Sequence, residues 1–201
     1  MRRSRSIRTK LIALVALPMV ALAVLAALGV RWSADAAERS RDAARRAEVA
    51  VASTAAALDV ARERGLSVAV LGGQATGRVA NPGHVTELRF QRGQTDVALD
   101  TLDAALSGGA TTDLRAELDS LRTAVDGAGD GDGDGDGDGI VSSEALDRYT
   151  AIVEQLFATV ATSIDAIDDP GLRDTARSYT GLTRATDAVT LQQTELMSGL
   201  V

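Results

Sequence analysis

The chain has 201 residues, of which 45% are apolar and only 2% aromatic, with 19 Gly, three Pro, one His and no Cys. That excludes a disulfide framework and thiolate zinc sites, leaves little for His-centred metal or triad chemistry, and weighs against a β-sandwich or barrel in favour of an all-α fold. Five bases (Arg2, Arg3, Arg5, Arg8, Lys10) and no acid fall in the first ten positions, so the remainder carries 16 bases against 28 acids and repels nucleic acid.

From Leu11 to Val30 runs a stretch of 20 residues without a charge, enough for a helix to cross the roughly 30 Å of a bilayer's hydrocarbon core. Pro18 inside it is tolerable in a membrane helix. A cleavable signal sequence would have a shorter apolar core ending in a small-x-small site, whereas this run is closed by Arg31 and Trp32, and Trp suits the membrane interface. We therefore expect residues 1–10 to be a basic cytoplasmic tail, 11–31 a single transmembrane helix, and 32–201 an extracytoplasmic helical domain.

The exported part reads as five helical segments. The first, from Asp35 to about Leu71, repeats Ala47, Val51, Thr54, Leu58 and Ala61 at spacings of four and three, a helix-packing seam, and is expected to continue the membrane helix outward. Gly72, Gly73, Gly77 and Asn81-Pro82-Gly83 then predict a loop and a turn, with His84 an exposed turn residue rather than a ligand. The second segment carries Leu88, Thr95, Leu99, Leu102 and Leu106 and stops at Ser107-Gly108-Gly109. The third starts at Thr111 or Thr112 and shows Leu114, Leu118, Leu121 and Val125.

Residues 127–139, where Asp alternates with Gly, predict a disordered linker, because glycine entropy and carboxylate repulsion both oppose order. An EF-hand loop would need Glu as its twelfth residue, and counting from Asp132 or Asp134 reaches Ser143 or Ala145 instead. The fourth segment begins near Ser142 and is the clearest amphipathic stretch, through Leu146, Tyr149, Val153, Leu156, Val160, Ile164 and Ile167. Asp169-Pro170 caps a fifth, running through Leu172, Tyr179, Leu182, Val189 and Leu196 to the end.

The chemistry concentrates in Arg62-Glu63-Arg64-Gly65-Leu66-Ser67. On a helix Arg64 shares a face with Val60, Val68 and Leu71, so its guanidinium leaves from an apolar stripe and needs a partner, since a buried unpaired charge costs several kcal/mol. That partner is either a carboxylate from a neighbouring helix, a structural ion pair, or a small flat anion such as nitrate, which matches the planar fork of arginine. Gly65 beside it costs about 1 kcal/mol of helix propensity and predicts close approach of another helix. No nucleophile, base and orienter can be assembled, so enzymatic activity is the least expected class.

The stretch from Arg62 to Leu71, Gln91-Arg92-Gly93-Gln94-Thr95-Asp96 with Leu99, and Tyr149-Thr150-Ala151-Ile152-Val153 together resemble the nitrate- and nitrite-sensing (NIT) domain of bacterial receptors. The start, Ser6-Ile7-Arg8-Thr9-Lys10 running into the apolar span, resembles the N-terminus of actinobacterial membrane sensor histidine kinases that carry this domain. The resemblance implies an all-helical extracytoplasmic module of antiparallel bundles, the input of a two-component system, with a membrane and a small anion as partners, a homodimeric assembly, and no cofactor or catalytic residue. It makes Arg64 the match to the family's first motif arginine, an anion ligand. The second motif also carries Arg, and the matching region here is Gln192-Gln193-Thr194-Glu195-Leu196-Met197; Gln193, on a stripe with Val189, Met197 and Leu200, stands at that position without a charge, so weak nitrate binding is expected. The Asp-Gly run looks like an insertion, and the resemblance implies that the C-terminal half of the domain and every kinase motif lie beyond this chain. The rival expectation is a ligand-free, membrane-anchored helical interaction protein that dimerises through the seam from Ala47 to Ala61.

Overall fold

The computed structural model describes the backbone of residues 7–75, 81–106, 110–128 and 140–199, and the side chains of residue 31 and of 37–74, 81–106, 110–128 and 140–195. The elements are α1 (Ile7–Ala75), α2 (Pro82–Ala105), α3 (Thr112–Gly127), α4 (Ser142–Asp165) and α5 (Pro170–Gly199), with no strand among the described residues. The fold is all-α, as composition and periodicity predicted. Two compact units are distinguished, Met1–Asp42 and Ala43–Val201. Among the described residues no helix is long and apolar enough to cross a membrane; the expected span at 11–31 falls on side chains outside the described residues apart from Arg31. Most of the expected linker, residues 129–139, lies outside them as well.

Within the second unit the helices form an up-and-down bundle. Arg46 donates to the carbonyl of Ala166, while Ser67, further along α1, meets Tyr149, further back in α4, so α1 and α4 are antiparallel. Pairs Asp100–Arg115 and Asp126–Arg92 set α2 against α3 in the same sense, and Asp165–Arg177 and Glu154–Arg184 do so for α4 and α5. The core is aliphatic with one buried Tyr and one buried Phe: Leu99, Leu102, Leu118, Leu121, Leu156 and Phe157 are all within 1% of full burial. Each such side chain contributes about 1.5–3 kcal/mol on leaving water.

The turn signals before α2 act differently from their sequence reading. Gly72 and Gly73 are helical, so α1 runs past them to Ala75. Asn81-Pro82-Gly83 is the cap and first turn of α2, with the Asn81 side chain accepting from the Gly83 N–H at 3.0 Å and Pro82 at the first helical position, where its missing N–H costs nothing. His84 is exposed within that first turn. At α5 the expected cap forms, the Asp169 carboxylate accepting from the Leu172 N–H at 2.9 Å.

Two helices present faces that periodicity did not anticipate. In the seam on α1, Thr54 and Ala61 are buried inside the unit and Val51 is 66% exposed, so the seam is divided between core and surface; the exposed stripe is instead Val51, Ala55, Arg62 and Ala69. On α5 the apolar stripe faces out, with Leu172, Tyr179, Leu182 and Val189 exposed by 41%, 58%, 68% and 55%. The side turned to the bundle is Thr180, Thr183, Asp187, Thr190 and Thr194, again at spacings of three and four. That side carries Asp187, which meets the buried guanidinium of Arg64.

Candidate functional site

Along α1, Glu63 and Ser67 are one turn apart on a common face, and Arg64 lies about 100° round the helix from Glu63. All three are fully buried, so α1 sends an acid and a base into the interior on different sides.

On the Glu63 side, the carboxylate is gripped by Arg122 of α3, whose Nε and Nη2 donate to its two oxygens at 2.7 and 2.9 Å. The Tyr149 hydroxyl donates to Glu63 Oε1 at 3.0 Å and accepts from Ser67 Oγ at 3.1 Å. Arg92 of α2 approaches the same oxygen to 3.8 Å and reaches Asp126 at 2.8 Å. Arg122 also donates to Asp96 at 2.7 Å. Burial disfavours the charged form of Arg122, but the hydrogen bonds and charges of Glu63 and Asp96 outweigh it and its pKa is raised. The Tyr149 hydroxyl is pushed up by burial first and by the negative charge of Glu63 second. A group whose folded pKa is raised above its unfolded one stabilises the fold below the unfolded value and loses that contribution as pH rises past it. Wild-type protein is therefore expected to lose stability above about pH 10 more steeply than Tyr149→Phe; parallel denaturant midpoints for the two between pH 9 and 11 would refute this coupling.

On the Arg64 side, Nη2 donates to Asp187 Oδ1 of α5 at 2.7 Å and Nη1 to Thr150 Oγ1 of α4 at 3.3 Å. Thr150 passes its own proton to the Leu146 carbonyl at 2.7 Å. Arg64 Nε is buried and has no hydrogen-bond acceptor. The guanidinium thus meets one full counter-charge and one neutral acceptor, and its Nε meets no acceptor. A planar oxyanion is what such a half-satisfied fork accepts. Among the described residues no cluster of His, Asp and Glu is arranged to hold a metal ion.

A family model described as nitrate and nitrite sensing matches residues 55–201, most of the chain and all of the site just described. The chain belongs to the NIT family. No curated protein and no solved structure matches it significantly. NIT membership makes this unit a nitrate- and nitrite-sensing input module of signalling proteins, the function that its motifs suggested.

Of the two expected ligand residues of the NIT site, Arg64 is fully buried and Gln193 is exposed on α5. Its neighbour Thr194 also faces the motif on α1, with Oγ1 3.9 Å from where a Cβ on Gly65 would stand. Another helix does therefore approach at Gly65, but at ordinary van der Waals distance, so alanine fits there. In the sequence Glu63, Arg92, Tyr149 and Thr150 stand out only as motif positions, and Arg122 and Asp187 are not among them. The signal for Asp187 was present: it is the one acid in a threonine stripe at helical spacing. Arg122 gave none, because an arginine beside the leucine seam of α3 looks like any solvated flank.

Proposed function

We propose that the chain is the extracytoplasmic input module of a two-component sensor histidine kinase, anchored in the membrane by residues 11–31 with its N-terminus in the cytoplasm, and that nitrate or nitrite is held at Arg64 between α1, α4 and α5. The observation that carries this is the fully buried Arg64 with an Nε that no protein group satisfies. An anion with different affinities for two packings of these helices would shift their populations and so transmit its presence. Gln193, the second ligand position in this reading, offers neither charge nor burial, so Arg64 supplies the one charge-assisted contact and affinity is weak. Calorimetric titration with nitrate, nitrite and chloride tests the site: heat from nitrate or nitrite that disappears in Arg64→Ala supports it, and tight nitrate binding that survives the substitution overturns it.

A second reading, a ligand-free module that works by pairing with another copy, is favoured by the exposed apolar side chains Val51, Phe90, Val97, Leu182 and Val189. These side chains lie on the exposed faces of α1, α2 and α5. On this reading Leu182→Glu with Val189→Glu turns a dimer into a monomer in analytical ultracentrifugation and leaves helical circular dichroism intact. A wild-type monomer at all concentrations removes it.

A further inference from the structure

We propose that Asp187 is a competitor built into the anion site: its carboxylate holds Arg64 when the site is empty and has to leave for the ligand to bind, so it sets affinity and selectivity and ties occupancy to the position of α5. This rests on the reading of Arg64 as the ligand contact. Carboxylate and nitrate are both flat anions whose oxygens fit the same guanidinium fork, so they contend for the same donors. Two anions on one buried guanidinium also repel each other strongly where water cannot screen them, which makes displacement the cheaper course than joint occupancy.

The geometry suits an exchange. Arg64 is 0% exposed in its side chain and Asp187 11%, so the carboxylate lies at the edge of the cluster and reaches water by turning outward, while the guanidinium stays in place. The grip of α5 on the bundle is slight in apolar terms. Its inward residues Thr180, Thr183, Thr190 and Thr194 each return their hydroxyl proton to the carbonyl four residues back in α5 itself, so these hydroxyls donate to no other helix. An element held by little apolar area is one whose packing changes at small cost. Breaking Arg64–Asp187 therefore frees α5 to shift against α1.

Selectivity follows from the same contest. Nitrate presents two coplanar oxygens to Nε and Nη2, filling the donor that lacks an acceptor and replacing the one that Asp187 vacates. Chloride is spherical and has no pair of oxygens aligned with the two parallel N–H groups of the fork, so its contacts are longer and bent and repay less of the lost carboxylate; Asp187 thus favours flat oxyanions over halide.

The test compares the full chain with Asp187→Asn, which keeps the shape and an acceptor oxygen but removes the competing charge, and with Asp187→Glu, which keeps the charge. Sodium nitrate and sodium chloride are titrated calorimetrically, with circular dichroism to check the fold. The expected result is nitrate affinity raised by roughly tenfold to a hundredfold in Asp187→Asn, the size of one charge-assisted contact, with measurable chloride binding, while Asp187→Glu stays near wild type. Unchanged or weaker nitrate binding in Asp187→Asn, with wild-type binding that needs Arg64, overturns the competitor and leaves the Arg64 site standing. Nitrate binding that survives Arg64→Ala, or no binding in any variant, overturns both.

Discussion

Arg122→Ala is expected to lower the unfolding free energy by about 3–5 kcal/mol, because it strands a buried carboxylate. Glu63 is 0% exposed and receives two of its hydrogen bonds from Arg122. After the change it keeps the Tyr149 hydroxyl and, at 3.8 Å, the Arg92 guanidinium, which leaves most of its desolvation unopposed. Double replacement of Glu63 and Arg122 by Gln and Met is expected to recover much of the loss, since a buried ion pair is worth little more than well-packed neutral side chains of similar volume. Urea denaturation followed by circular dichroism gives both values. A cost below about 1 kcal/mol for Arg122→Ala, the level of an exposed pair, would show that Glu63 does not depend on Arg122 for its place in the folded chain.

Arg64→Ala is expected to cost about 1.5–3 kcal/mol without ligand, the range for a lost hydrogen bond to a charged group, and to abolish any stabilisation by nitrate. The stability cost is smaller than for Arg122 for a physical reason. The partner left behind, Asp187, is 11% exposed in its side chain and reaches solvent, whereas Glu63 has no such route. Arg64→Met separates the contributions: it restores the stem's packing but not the charge, so it should recover part of the stability and none of the nitrate response. Thermal melting with and without nitrate reads both effects together. A nitrate-dependent rise in melting temperature that persists in Arg64→Ala would move the anion elsewhere in the bundle.

Much of this protein was legible in the sequence because its helices obey their own periodicity. The leucine seam of α3 and the stripe of α4 from Tyr149 to Ile164 are buried as their spacing required, while Leu146 at the start of that stripe is half-buried and Ile167, buried too, follows the end of the helix. Apart from the Tyr149 hydroxyl those faces are apolar, so area removed from water decides their orientation. The need for a partner at Arg64 was equally plain, as a long charged side chain on an apolar stripe admits few solutions.

What the sequence could not settle was which solution is realised. Whether Arg64 meets a carboxylate or an anion depends on which residue of another helix stands opposite, and that is a property of the packing: here Asp187, 123 positions away, supplies the carboxylate. The same contact lies on the face that α5 turns to the bundle. Its leucines predicted a buried apolar face, but α5 turns its Thr and Asp stripe inward, where Asp187 meets Arg64, and Leu172, Tyr179, Leu182 and Val189 outward. Local pattern determined that five helices form and which residues line their faces; tertiary packing determined which face each helix offers to its neighbours, because desolvation of charge is a sum over all the groups that surround it.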